Sequence, residues 1–205
     1  MPELSIIIPI YNEARLINES LPKIFNLALD KEVIVINDGS NDGSLEKLKN
    51  LKNNYEFQLI SLTKNQGKGT AVRRGLSEAK SDYFIICDAD LEYEPRDIVR
   101  LLNKIKTLPK NTALYGSRFL NNKSWSGHYL VNKFLTDLSN LLFNAQLSDM
   151  ETCLKLIPRS ALASIKLKAK RFELEPELTA QLLKNNYKIQ EIPISYQRRN
   201  YAAGK

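Results

Sequence analysis

Short apolar runs and polar clusters alternate along the first half of the chain with a regularity that predicts its elements. Leu4 to Ile10, Val33 to Ile36, Phe57 to Leu62 and Tyr83 to Cys87 are nearly unbroken apolar runs, the pattern of strands covered on both faces. Between them apolar residues recur at helical spacing, from about Ala14 to Leu29 and at Ala71, Val72, Leu76 and Ala79. Strand and helix alternate four times before residue 95. This predicts an α/β fold with a mostly parallel, doubly wound central sheet flanked by helices. Further on, Tyr129 to Ala145 reads as an amphipathic helix, with Leu130, Phe134, Leu138, Leu141 and Ala145 on one side and Lys133, Asp137, Asn140 and Asn144 on another. Its apolar side is expected against the sheet, with a membrane or partner surface as the alternative.

Each strand ends in polar residues, and in open α/β sheets ligands bind beyond the carboxyl ends of the strands. The clusters are Tyr11-Asn12-Glu13, Asn37 to Ser44, Lys64 to Gly69, and the carboxylates Asp88, Asp90 and Glu92. Alternate positions of an extended segment project to one side, so these carboxylates are expected to converge on a cation. Hard oxygen ligands suit Mg²⁺ or Mn²⁺. The alternative is a solvated acidic turn leading into a helix that begins at Pro95. Gly67-Lys68-Gly69 fits neither the dinucleotide fingerprint nor the P-loop spacing. Loop freedom at a helix start is its simplest reading, and backbone N–H groups meeting a nucleotide is the other.

Composition narrows the setting. A chain of 205 residues that is 43% hydrophobic can bury a sizeable core. The sequence shows no secretory signal pattern and no apolar stretch of membrane-spanning length, and Cys87 and Cys153 read as buried free thiols. A cytoplasmic location is expected. Residues 1–117 hold 16 Lys+Arg against 16 Asp+Glu, and residues 118–205 hold 14 against 7, so the whole net charge of +7 lies in the second part. That excess points to an anionic partner, but no nucleic-acid-binding module is recognisable. Phosphates on a small ligand or a membrane surface remain.

At this point the motifs resemble those of a known family. Ile8-Pro9-Ile10-Tyr11-Asn12-Glu13, Asn37-Asp38-Gly39-Ser40-Asn41-Asp42-Gly43-Ser44, Asn65-Gln66-Gly67-Lys68-Gly69 and Asp88-Ala89-Asp90 resemble the successive signatures of inverting, family-two nucleotide-sugar glycosyltransferases. Gly116-Ser-Arg-Phe119, Asp149-Met-Glu-Thr-Cys153, Arg171-Phe-Glu-Leu-Glu-Pro-Glu177 and Ile192-Pro-Ile-Ser-Tyr196 are similar to the polyprenyl-phosphate group of that family, which contains the dolichyl-phosphate mannose and glucose synthases.

The resemblance implies a Rossmann-like, A-type glycosyltransferase fold in a single domain, with residues 1–117 as the nucleotide-sugar half and 118–205 as the acceptor half. It also implies metal-dependent, inverting transfer of a sugar from a GDP-mannose or UDP-glucose type donor to a polyprenyl phosphate lipid. Pro9, Tyr11, Glu13, Asp38, Gly67, Lys68, Asp88, Ala89 and Asp90 would hold the donor, and Asp88, Asp90 and Glu92 the Mg²⁺ or Mn²⁺. Asp88, Asp90 and Arg118 would carry the catalysis, and Arg118, Lys133, Arg199 and Lys205 would hold the acceptor phosphate. The protein would then sit peripherally on the cytoplasmic face of a membrane, with a membrane-anchoring subunit as a further expected partner. Three alternatives stand beside this reading: a family-two transferase acting on a sugar hydroxyl, a sugar-nucleotide pyrophosphorylase and a non-catalytic nucleotide-sugar-binding subunit.

Overall fold

The computed structural model describes residues 1–120 and 127–198, with backbone alone for 127–129. Among the described residues seven strands form one sheet: β1 (Leu4–Ile10), β2 (Lys31–Asn37), β3 (Gln58–Ser61), β4 (Tyr83–Ile86), β5 (Thr112–Ser117), β6 (Lys155–Pro158) and β7 (Lys188–Pro193), in the order β3-β2-β1-β4-β6-β5-β7. The helices are α1 (Ile17–Phe25), α2 (Ser44–Leu51), α3 (Lys68–Leu76), α4 (Arg96–Ile105), α5 (Gly127–Phe143) and α6 (Leu174–Lys184).

The apolar runs are continuous because successive residues serve two cores. Ile6, Ile8, Val33, Val35 and Ile85 face a layer built by Ile17, Leu21 and Ile24 of α1, Leu48 of α2 and Leu101 of α4. Ile7, Ile34, Ile36, Phe84 and Ile86 face the opposite layer, with Val72 and Leu76 of α3 and Leu174, Leu178 and Leu182 of α6. A strand buried on both faces has no polar side to show, so period-two alternation disappears.

The sheet is parallel from β3 through β4, as expected, but β6 runs antiparallel to both β4 and β5. Strand order reverses between β1 and β4, because β1 pairs with β2 on one side and with β4 on the other. A crevice at the carboxyl ends of the strands is the geometric result.

Two helical expectations change. The first helix starts three residues later than its periodicity suggests. The amide of Glu13 donates to Ser44 Oγ at 3.0 Å and that of Ala14 to Asp42 Oδ2 at 2.9 Å, so the segment after β1 is tied to the β2–α2 loop before a helix can begin. The second change is larger: α5 is turned with its apolar side outward. Leu130, Val131, Phe134, Leu138, Leu141 and Leu142 are all exposed, Phe134 at 66% and Leu141 at 81%. At 3.6 residues per turn these positions fall within about 120° of arc. The inward side carries Thr136, Ser139 and Asn140, because the loop that follows needs partners for its backbone. Met150 N–H donates to Thr136 Oγ1 at 3.1 Å, while Asn140 accepts from Leu147 N–H and donates to Leu147 C=O, each at 2.8 Å.

Candidate active site

An open cavity of about 440 Å³ lies at the switch point. Pro9, Ile10, Tyr11 and Glu13 line it after β1, and Asp38 after β2. Asn65, Gly67, Lys68 and Ala71 line it around the start of α3; Asp88, Ala89 and Asp90 after β4; and Arg171 and Phe172 before α6. Every residue expected to hold the donor is therefore on one wall or another of a single cavity.

Asp38 is buried, and its two carboxylate oxygens accept the Gln66 and Gly67 amides at 2.8 and 2.7 Å. It clamps the loop before α3 as well as lining the cavity. Gly67 answers a steric demand: at φ +93° a Cβ there would lie 2.4 Å from the Lys170 carbonyl oxygen. A Cβ on Gly69 would meet Ala169 O at 2.5 Å, so these glycines admit the backbone that carries Arg171 and Phe172 into the site. That segment was legible as a motif, but its place in the cavity was not.

Lys68 Nζ lies 2.9 Å from Asp88 Oδ2 and 3.2 Å from Glu175 Oε1. Burial alone would push its ammonium down, yet the Asp88 and Glu175 carboxylates hold it well above its ordinary value. Glu175 in turn bonds Lys155, which is fully buried and also donates to the Thr152 carbonyl. For Glu175, too, burial opposes the charge, and Lys155 and Lys68 outweigh it, leaving the carboxyl below its ordinary range.

Asp88 and Asp90 reach the cavity together, but Glu92 does not join them. Leu91 adopts φ +61°, which breaks the extended alternation on which a three-carboxylate set depends. Glu92 is instead buried beside Tyr196, whose hydroxyl donates to Glu92 Oε2 at 2.8 Å. Among the described residues no group of three or more His, Cys, Asp or Glu side chains could hold a metal ion. The donor set still fits a hard cation: Mg²⁺ is commonly bound through one or two carboxylates, with substrate phosphates and water completing the shell.

The expected phosphate-binding residues fare unevenly. Arg118 is spent on buried Asp149, with Nε to Oδ2 and Nη2 to Oδ1 both at 2.7 Å and its own amide to Oδ2 at 3.0 Å. Its guanidinium also lies 5.1 and 5.3 Å from the Phe119 and Tyr196 ring centroids. The fork that suits a phosphate is already occupied by a carboxylate. Burial and the Glu92 carboxylate push the Tyr196 phenol up to about 12. Lys133 lies on α5 and pairs with Asp137, away from the cavity lining. Arg199 and Lys205 lie outside the described residues. Glu151, near these groups, is held above its ordinary range by burial, and its Oε1 is buried without a hydrogen-bond partner among the described residues. Cys87 and Cys153 are buried free thiols, as expected.

Paired carboxylates and a buried lysine at the switch point of an α/β sheet define a site suited to a diphosphate ligand. The sequence profile of glycosyl transferase family 2 matches residues 5–166, and the chain belongs to that family. It is 37% identical over 120 residues to a dolichol-phosphate mannosyltransferase of Pyrococcus furiosus, a match covering 58% of this chain and 34% of the relative. It is 31% identical over 122 residues to a poly-beta-1,6-N-acetyl-D-glucosamine synthase of Staphylococcus epidermidis, covering 59% and 30%. These matches thus span about a third of the curated relatives' length. In fold it resembles glucosyl-3-phosphoglycerate synthase from Mycobacterium tuberculosis in complex with uridine diphosphate, with a TM-score of 0.77 at 17% identity over 97% of this chain and 72% of that one. Another structure of that synthase, with Mn²⁺, uridine diphosphate and phosphoglyceric acid, gives 0.76 over 98% and 73%. The A-type glycosyltransferase fold expected from the motifs is the one observed.

Proposed function

We propose that the cavity takes a nucleotide diphosphate sugar with Mg²⁺ or Mn²⁺, and that its sugar passes with inversion to a polyprenyl phosphate at a membrane surface. The observation that carries the donor half is the convergence of Tyr11, Asp38, Lys68, Asp88 and Asp90 on one cavity at the switch point. Tyr11 and Phe172, both exposed at its mouth, offer aromatic faces to a base or sugar ring. Asp88 and Asp90 would hold the divalent cation, which when bound supplies neutralisation of the departing diphosphate. Lys68 adds a fixed positive charge beside the same leaving group.

Two observations support a lipid phosphate acceptor. The relative from Pyrococcus furiosus is a dolichol-phosphate mannosyltransferase, and α5 turns a broad apolar side outward in the half of the chain that carries the whole basic excess. Contiguous exposed apolar surface marks interaction sites, and none of the described helices is long and apolar enough to cross a membrane, so a peripheral contact fits. A phosphate monoester, with a second pKa of about 6, is largely dianionic at neutral pH and attacks without a general base. Arg171, which lines the cavity beside Lys68, would meet it. The single-domain reading is supported by cores that draw on both halves, such as Ile7 with Leu178.

Glu151 favours a second reading. A carboxylate raised by burial and lacking a hydrogen-bond partner on one oxygen has the character of a general base, which a sugar hydroxyl acceptor needs. The test that separates them is incubation with a panel of nucleotide sugars, Mg²⁺ or Mn²⁺, and either polyprenyl phosphate or oligosaccharide, with products identified by mass spectrometry. A glycosylated lipid phosphate supports the main reading. Transfer to oligosaccharide alone supports the second.

A further inference from the structure

Lys155, Glu175, Lys68 and Asp88 form a chain of alternating charge that runs from the interior to the cavity. Lys155 enters from β6, Glu175 from the first turn of α6, Lys68 from the first residue of α3, and Asp88 from the segment just past β4. Lys155 and Glu175 are 0% and 4% exposed, and Lys68 keeps only 14% of its side-chain surface. Charges this deep persist only when paired, so each member needs its neighbour.

The arrangement divides one ammonium between two carboxylates. Lys68 donates to Asp88 Oδ2, while the other carboxylate oxygen of Asp88 carries no hydrogen bond among the described residues. Glu175 draws Lys68 from behind, and Lys155 anchors Glu175. We infer that Glu175 is a positioning residue for the cation site: by sharing Lys68 it keeps that ammonium from pairing wholly with Asp88, and so leaves Asp88 able to take a divalent cation. The inference rests on the proposed cation site at Asp88 and Asp90, and adds to it a residue that does not line the cavity.

The consequence has a definite sign. With the charge of Glu175 removed, Lys68 has Asp88 as its remaining carboxylate partner and competes with the cation for it. Loss of a direct outer partner of a metal ligand typically weakens metal binding about 10–100-fold, and Glu175 acts one contact further out, through Lys68, so the lower end of that range is expected. Glu175→Gln alone strands Lys155, so the informative variant is Lys155→Met/Glu175→Gln, which removes the rear ion pair together and leaves Lys68 and Asp88 intact. Mn²⁺ affinity is read by electron paramagnetic resonance of free Mn²⁺ in the presence of uridine diphosphate, beside thermal unfolding.

The expected result is a folded double variant that binds Mn²⁺ at least about 10-fold more weakly than the native protein. A folded double variant within about twofold of native would overturn the inference while leaving the cation site standing, since a purely structural pair moves only stability. A double variant that does not fold also overturns it, by showing that the pair serves the fold first. If the native protein itself binds no Mn²⁺, both the inference and the metal part of the proposed function fall.

Discussion

Replacing Asp149 by alanine breaks a buried ion pair between the loop before β6 and the residue that follows β5. Its carboxylate is 0% exposed and takes three hydrogen bonds from Arg118, whose side chain is 10% exposed. Removing one partner of a buried pair costs about 3–5 kcal/mol, because the other charge stays behind without compensation. Arg118 keeps slight access to solvent and lies against two aromatic rings, which places the loss near the lower end, about 3 kcal/mol. For a chain of this size that corresponds to roughly 6–12 °C in Tm. Urea denaturation followed by circular dichroism measures it. Arg118→Met/Asp149→Leu, which removes both charges, should recover most of the loss. An Asp149→Ala protein within about 1 kcal/mol of native, the range of an exposed pair, or a double variant no more stable than the single one, would show that the pair is not buried as described.

Other expectations follow from the same geometry. Asp90→Asn should lower transfer at least about 100-fold with an unchanged circular dichroism spectrum, as expected when electrostatic stabilisation of a leaving group is lost; near-native activity in chelator would refute the role given to Asp90. Burial raises Glu151, so between its ordinary value and the raised one the folded state binds more protons than the unfolded state, and stability falls as pH rises through that window. Glu151→Gln should therefore be more stable than native at neutral pH, with the gain vanishing below about pH 4, and equal stability across the pH range would contradict the burial argument. If the acceptor is a lipid phosphate, the same variant keeps most of its activity. On α5, Phe134→Asp/Leu141→Asp should leave Tm nearly unchanged, since both side chains already face solvent, and should abolish sedimentation with anionic vesicles; undiminished sedimentation would exclude this face as the contact.

Much of the first half was legible because a strand buried on both faces writes an unbroken apolar run, and because polar residues can interrupt it only where the sheet ends. That logic located the cavity from Pro9 through Asp90. It failed where a local turn or a distant partner decides the outcome. Leu91 at positive φ sends Glu92 to Tyr196, and nothing in the alternation of Asp88, Asp90 and Glu92 signals that break. Arg118 meets a partner 31 residues away, so its charge announced a phosphate while its fork was already filled. Lys155, 20 residues from Glu175, makes a strand look polar although it is wholly buried. For α5 the periodicity identified an apolar side correctly, but the choice of side was made by the loop at Leu147 to Met150, whose backbone needed hydrogen-bond partners.

If the proposed function is right, the switch-point cavity is where a nucleotide diphosphate and a divalent cation meet. A crystal structure of the protein grown with uridine or guanosine diphosphate and Mn²⁺ tests it most directly, because the anomalous signal locates the metal independently of the nucleotide. The expected result is an anomalous peak within oxygen-coordination distance of Asp88 or Asp90, between about 2.0 and 2.6 Å for hard divalent cations, with the diphosphate beside Lys68 and the base near Tyr11. A nucleotide bound elsewhere, or an anomalous peak away from both carboxylates with the cavity filled only by solvent, would contradict it.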